Sequence, residues 1–229
     1  MNLGTSKLCA VIVAAGTSQR MAGINKLFAP LGEKPLLAWS VDTCQHYGCI
    51  QQIVLVLTDK DLARGQKLKK ERAWSKVILC PGGKQRQDSV KQGLRQIVDC
   101  GLVMIHDGAR PFLTSDLIEA GLKIVQETGA AIAAVPIKET IKLADSKKLI
   151  KETLKRNRLW AAQTPQIFSF DLITKVYENL TAEITDDATA VERIGRKVQI
   201  YMGDYKNIKV TTAEDLALAR IIAGEWKKN

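Results

Sequence analysis

Runs of apolar, β-branched residues alternate along the chain with stretches whose apolar positions recur every three or four residues. The runs at 11–13, 53–57, 76–79, 102–106 and 130–135 predict buried strands. Between them, 35–47 carries Leu36, Leu37, Val41 and Cys44 on one helical face and is stopped by Gly48. A charged surface helix is predicted over 61–74, a helix with Val90, Leu94 and Ile97 on its apolar face follows, and a capped helix over 114–128 ends at Gly129. Later, 161–168 reads as a strand interrupted at Pro165, and 169–179 as a helix. A short helix opens at residues 185–188, with Asp186 and Asp187 as capping acids at its positive end. Strands at 198–202 and 208–211 and an amphipathic helix over 212–226 close the chain. Buried strands separated by helices argue an α/β fold with a mostly parallel sheet covered on both faces.

One stretch breaks this rhythm. Residues 137–143 and 149–154 alternate apolar and polar positions around a turn at 144–148, which predicts a hairpin with one face in need of cover. A two-stranded ribbon is marginally stable by itself. The expectation is a single domain over 1–229, with a protruding β-arm at about 137–155 that pairs two copies as a homodimer.

Composition narrows the function classes. No apolar run among the 229 residues approaches the roughly 20 needed to span a bilayer, and the start of the chain lacks a signal-peptide core. No membrane partner and a cytoplasmic location are expected. The five cysteines are odd in number and form no C-x-x-C pair, so reduced thiols are expected in place of disulfides or zinc. With two histidines, no dedicated metal site is expected; a metal would arrive on a substrate's phosphates. The net charge of +10 raises the question of nucleic acid. Much of the surplus, however, lies in helix-like stretches such as 67–72 and in the pairs Lys147-Lys148 and Lys227-Lys228, and aromatics make up only 5% of the chain. Solvated faces and a small, multiply charged anion fit this pattern better than a nucleic-acid module.

Candidate chemistry clusters at predicted strand ends. After the first strand, Ala14-Ala15-Gly16 is small enough for a ligand to touch backbone, and the loop beyond it carries Arg20 and Lys26. Backbone N–H groups and two cations make a phosphate cradle. It is neither a Walker A loop nor a dinucleotide fingerprint, because Gly16 and Gly23 satisfy neither spacing. The glycine pair Gly82-Gly83 allows close approach to a flat ligand, and Ser89 stands near the start of the following helix. Asp107 and Arg110 follow the fourth strand, where ligands collect in open α/β sheets.

Taken in order, Ala-Ala-Gly-x-x-x-Arg-Met…Lys, Gly-Gly…Arg-x-Asp-Ser-Val, His-Asp-x-Ala-Arg-Pro, Lys-Glu-Thr, Arg-Asn-x-Leu-Trp, Gln-Thr-Pro-Gln, Thr-Asp-Asp-Ala and Asn-Ile-Lys-Val-Thr span nearly the whole chain. The set resembles the 2-C-methyl-D-erythritol 4-phosphate cytidylyltransferase family of non-mevalonate isoprenoid biosynthesis. The resemblance implies a Rossmann-like, GT-A-type nucleotidyltransferase that transfers CMP from CTP to methylerythritol phosphate and releases pyrophosphate, with Mg²⁺ on the triphosphate. It implies that Arg20 and Lys26 stabilise the transition state and that Arg156 and Lys209 hold the sugar phosphate. Ala14, Ala15, Gly16, Gly82 and Ser89 would line the nucleotide pocket. Asp107, Arg110, Thr140 and Thr164 would surround the acceptor, with Thr140 on an arm that the family uses to bridge two subunits. Two positions depart from the family pattern: the Arg20-to-Lys26 spacer is one residue short, and Lys84 follows the glycine pair where an acidic or small residue is common. The alternatives are a ribitol 5-phosphate cytidylyltransferase and a non-catalytic nucleotide- or RNA-binding protein.

Overall fold

The computed structural model describes residues 7–16 and 25–226. Strand β1 (Leu8–Ala14) is followed by a two-residue pair, β2 (Pro30–Leu31) and β3 (Lys34–Pro35), and by α1 (Leu36–His46). Then come β4 (Ile50–Leu57), α2 (Leu62–Glu71), β5 (Val77–Pro81), α3 (Arg86–Leu94), β6 (Leu102–Asp107), α4 (Ser115–Thr128) and β7 (Ala130–Pro136). The hairpin β8 (Lys142–Ala144) and β9 (Ile150–Thr153) precedes β10 (Trp160–Ser169), α5 (Phe170–Glu178), α6 (Asp187–Arg193), β11 (Gln199–Met202) and α7 (Ala213–Trp226).

Seven strands form one sheet in the order β11-β7-β10-β6-β1-β4-β5. Only β10 runs against the others, pairing antiparallel with both β6 and β7. Side chains alternate across this sheet, so each strand serves two cores. On β1, Ala10 and Ile12 join one face with Leu37 and Val41 of α1, Ile118 of α4 and Ile222 of α7. Cys9 and Val11 join the other with Val90 and Leu94 of α3, Ile173 and Tyr177 of α5 and Val191 of α6. The helices lie on both faces, as the unbroken apolar strands require.

Local signals set most boundaries. Thr114 and Ser169 cap α4 and α5 by accepting from Leu117 N and Leu172 N, and Gly129 ends α4 with φ of 74°. Four expectations change. Helix α1 ends at Tyr47 in an extended conformation, and Gly48 is not among the left-handed residues. Helix α2 stops at Glu71, short of Trp74, which turns inward and donates Nε1–H to Asp42. Residues 208–211 form no strand: the stretch follows the tight turn at Asn207 and is held at the end of β6 by Val210 N to Ala109 O and by the Lys209–Asp107 ion pair. The hairpin forms, but its ladder covers only 142–144 and 150–153.

Among the described residues that hairpin pairs with no other strand, and every residue of its two strands is exposed. Its base is fixed more firmly. Ile137 N donates to Leu159 O, Arg156 Nη1 donates to Lys138 O, and the Lys138 ammonium sits 3.7 Å from the Tyr205 ring centroid.

Candidate active site

Strand order reverses beside β1, which has β4 on one side and β6 on the other. A cavity of about 330 Å³ opens at the carboxyl ends of β1 and β6, where such a switch point places ligands in α/β sheets. Ala14, Ala15 and Gly16 form one wall, Gly83, Lys84, Gln85, Arg86 and Ser89 another, and Lys26, Asp107 and Lys209 the charged remainder.

Each wall has a local cause. Gly82 donates N–H to Leu57 O, and a Cβ at that position would lie 2.3 Å from Ala15 Cβ. Only glycine lets the loops after β1 and β5 meet this closely. Gly82 itself stands behind the wall, and Gly83 faces the cavity. Ser89 is buried and spends its hydroxyl on the turn, accepting from Gly83 N and donating to Gln85 O. Lys26 begins a 3-10 turn ahead of buried Leu27, and Asn25 before it holds both carboxylate oxygens of Asp61 at 2.8 Å. Lys209 lies between two pinned neighbours. Asn207 donates Nδ2–H to Thr164 O, and Val210 is bonded to Ala109.

Asp107 is the electrostatic centre. Lys209 Nζ lies 2.7 Å from its Oδ2, Arg86 Nε donates to Oδ1 at 3.1 Å, and Arg110 Nε stands 3.8 Å from Oδ2. Burial alone would raise its pKa; the surrounding guanidinium and ammonium charges outweigh that and hold it well below the usual carboxylate range. Arg86 is in turn gripped by Asp187, whose two oxygens accept from Nη1 at 3.0 Å and Nη2 at 2.7 Å. Burial opposes the Arg86 charge, but Asp187 and Asp107 overcome it and raise its pKa.

Behind Asp107 lies a buried polar chain. Asp107 N donates to Thr164 Oγ1, the Thr164 hydroxyl faces His106 Nδ1 at 3.1 Å, and His106 Nε2 faces Arg110 O at 3.0 Å. A carbonyl at Nε2 requires the proton there, so Nδ1 accepts from Thr164. Burial pushes the His106 pKa down to about 4. The unfolded chain, with an ordinary pKa near 6.5, therefore binds more protons than the folded one as pH falls below that value. His106 should remove about 2 kcal/mol of stability between about pH 7.5 and about pH 5. Denaturant unfolding of the protein and of His106→Gln measures this. The variant should show the shallower pH dependence, and equal slopes would mean that His106 is protonated without penalty.

Of the candidate residues, the structure brings Ala14, Ala15, Gly16, Ser89, Lys26, Asp107 and Lys209 to one cavity. Arg20 lies outside the described residues. Arg110 and Thr164 pack behind Asp107, while Thr140 and Arg156 are exposed at the hairpin and line no part of the cavity. Asp186 caps α6 as expected, accepting from Thr189 N. Asp187 does not cap; it is fully buried on Arg86 and Tyr177. Arg86 stands in the motif Gly-Gly…Arg-x-Asp-Ser-Val, the one signal for it in the sequence; the structure places it at the first position of α3, where the helix dipole disfavours positive charge. Its partner is distant in sequence, so the spacing gave no sign of it.

A cation-lined cavity with glycine and alanine walls, set at the switch point of a mostly parallel sheet, suits a ligand that carries phosphate groups. The family model for IspD, 2-C-methyl-D-erythritol 4-phosphate cytidylyltransferase, matches residues 8–225, and the chain belongs to this family. It is 46% identical over 217 residues to the enzyme of that name from Dehalococcoides mccartyi, covering 94% of this chain and 96% of the relative. Identity to the Alkaliphilus oremlandii protein of the same name is 40% over 227 residues, with 95% of each chain covered. Among solved structures, the 4-diphosphocytidyl-2C-methyl-D-erythritol synthase of Anaerococcus prevotii superposes with a TM-score of 0.88 at 28% identity, covering 97% of this chain and 98% of that one.

Proposed function

We propose that this cavity transfers CMP from CTP to the phosphate of 2-C-methyl-D-erythritol 4-phosphate, with Lys26 and Arg20 on the triphosphate side and Lys209 on the acceptor side. The observation that carries the assignment is the placement of Lys26 and Lys209 in the same cavity with the small-residue wall 14–16. A phosphate monoester attacking a triphosphate brings like charges together, and at about 4 Å each unit pair repels by roughly 4 kcal/mol at an effective dielectric near 20. Pre-placed cations offset this, and no protein nucleophile is needed because the acceptor phosphate is already ionised. Ala14, Ala15, Gly16, Gly82 and Ser89 shape the nucleotide side, with Gly82 and Ser89 acting through the turn that presents Gly83. Asp107, Arg110 and Thr164 form the acceptor side, Thr164 by fixing the Asp107 backbone. Mg²⁺ enters as part of the substrate, on the triphosphate, and supplies neutralising charge. Among the described residues no cluster of three metal-ligating side chains exists, and Asp107 is already held by three cations. No helix among them is long and apolar enough to cross a membrane; we place the enzyme in the cytoplasm, with its small substrates.

Arg156 and Thr140 complete the cavity of a second copy. Thr140 sits on the hairpin unit at about 137–155 and Arg156 in the turn that follows it; Leu149 and Ile150 of the hairpin are each 64% exposed, which favours a homodimer built through this arm. The test is complementation between two variants. Lys209→Ala and Arg156→Ala should each use the acceptor poorly. Mixed and allowed to exchange subunits, they should regain roughly a quarter of normal activity, because half the dimers are mixed and each mixed dimer holds one intact site. No regain would place Arg156 in its own subunit's site or remove it from the reaction. Ribitol 5-phosphate, offered in place of the methylerythritol phosphate, should give no pyrophosphate.

A further inference from the structure

Tyr177, Asp187 and Arg86 form a chain of contacts that ends on Asp107 and, through it, on Lys209. Asp187 is 0% exposed, and its oxygens are fully engaged: Oδ1 accepts from Tyr177 Oη and Arg86 Nη1, and Oδ2 from Arg86 Nη2. Arg86 is thereby oriented so that its remaining edge, Nε, meets Asp107 Oδ1. The other oxygen of Asp107 is left for Lys209 at 2.7 Å. The contacts cross four separate elements, from α5 to α6 to α3 to the end of β6, before reaching the segment that carries Lys209.

We infer that Asp187 and Arg86 are positioning residues for the acceptor phosphate: Asp187 absorbs the Arg86 charge and fixes its fork, so that Asp107 holds Lys209 at the cavity wall. Two carboxylates and three cations meet here. With Asp187 charged, Arg86 is shared, and Asp107 remains the counter-ion of Lys209. With Asp187 neutral, the full Arg86 charge falls on Asp107, which turns its carboxylate toward the guanidinium fork and loosens Lys209. A planar fork held at three nitrogens fixes the direction in which each of its N–H groups points; an ammonium, a point charge on a flexible stem, does not. The inference rests on the assignment of Lys209 to the acceptor side.

The experiment compares Asp187→Asn, Tyr177→Phe, Lys209→Ala and the double variant Asp187→Asn/Lys209→Ala, each with the KM for CTP and for methylerythritol phosphate measured separately. Asp187→Asn should raise the acceptor KM about tenfold and change the CTP KM less than about twofold. Tyr177→Phe removes one hydroxyl and should act in the same direction with a smaller factor, which keeps the test open if Asp187→Asn folds poorly. The decisive reading is the double variant. If Asp187 works through Lys209, it should be no more than about twofold worse than Lys209→Ala alone; if Asp187 merely staples α3 to α6, the two losses should multiply. Multiplied losses, or equal effects on both KM values, overturn the positioning role while leaving Lys209 assigned. A normal acceptor KM in Lys209→Ala instead overturns that assignment itself, and the positioning role with it.

Discussion

Replacing Lys26 with alanine is expected to lower turnover by about 10²- to 10³-fold and to leave the protein folded. The effect on rate follows from where the charge sits. Lys26 lines the cavity next to Ala14 and Gly16, on a turn whose position is set by its neighbours: Leu27 is 3% exposed, and Asn25 is clamped to Asp61, which also accepts from Thr58 Oγ1. A cation held in place before reaction stabilises developing phosphate charge without reorganising, which is why a single such group carries a large factor. Folding should survive because those anchors belong to residues 25 and 27. Pyrophosphate release from CTP in the presence of methylerythritol phosphate, together with an unfolding curve, checks both halves. Near-normal turnover would shift the transition-state role to Arg20.

Asp107→Asn is expected to cost about 3–5 kcal/mol of stability as well as activity. The substitution keeps the shape and removes the charge around which Arg86, Arg110 and Lys209 gather. Arg86 retains Asp187, but Arg110 has no other carboxylate partner among the described residues. Its side chain is 11% exposed, and burial already lowers its pKa. Urea unfolding near pH 7 should show the loss as a lower midpoint, and an unchanged midpoint would mean that solvent satisfies these cations. The sign with pH also follows. A depressed carboxylate pKa contributes stability that is fully present well above the ordinary value near 3.9 and is lost progressively as pH falls from there toward the folded one. Between about pH 5 and about pH 8 the Asp107 contribution should therefore be flat, and the acid-side decline in that window belongs to His106.

What could be read from the sequence was what neighbours in the chain decide. β-Branched runs gave the strands, and Thr114, Ser169, Asp186 and Gly129 gave helix ends, because each acts within four residues of itself. The small-residue wall at 14–16 and Asp107 at a strand end were likewise visible, since strand ends are where open sheets keep ligands; Lys209 was marked only by the resemblance of its motif to the family. The parts that escaped are contacts between distant segments. Trp74 lies past the end of its helix because Asp42, on another helix, takes its indole N–H. Asp187 looked like a cap because Arg86 is 101 residues away. Residues 208–211 alternate like a strand, yet β6, at whose end they lie, is already paired with β1 and β10, so their one backbone bond to that segment is Val210 N to Ala109 O. For Thr164 the motif marked an important residue, and only the structure shows that its hydroxyl is occupied by His106 and Asp107 N.

The exposed hairpin also bears on solubility. Its strands form a two-stranded sheet of their own, so each presents one unpaired edge of backbone N–H and C=O groups. Bare edges with exposed Leu143, Leu149 and Ile150 beside them invite runaway strand addition and aggregation. Lysines stand along this ribbon at 142, 147, 148 and 151, and like charges on two approaching ribbons repel. Part of the chain's positive surplus, which composition alone would assign to solvated faces, thus acts as a guard. Such repulsion opposes open-ended stacking of ribbon on ribbon.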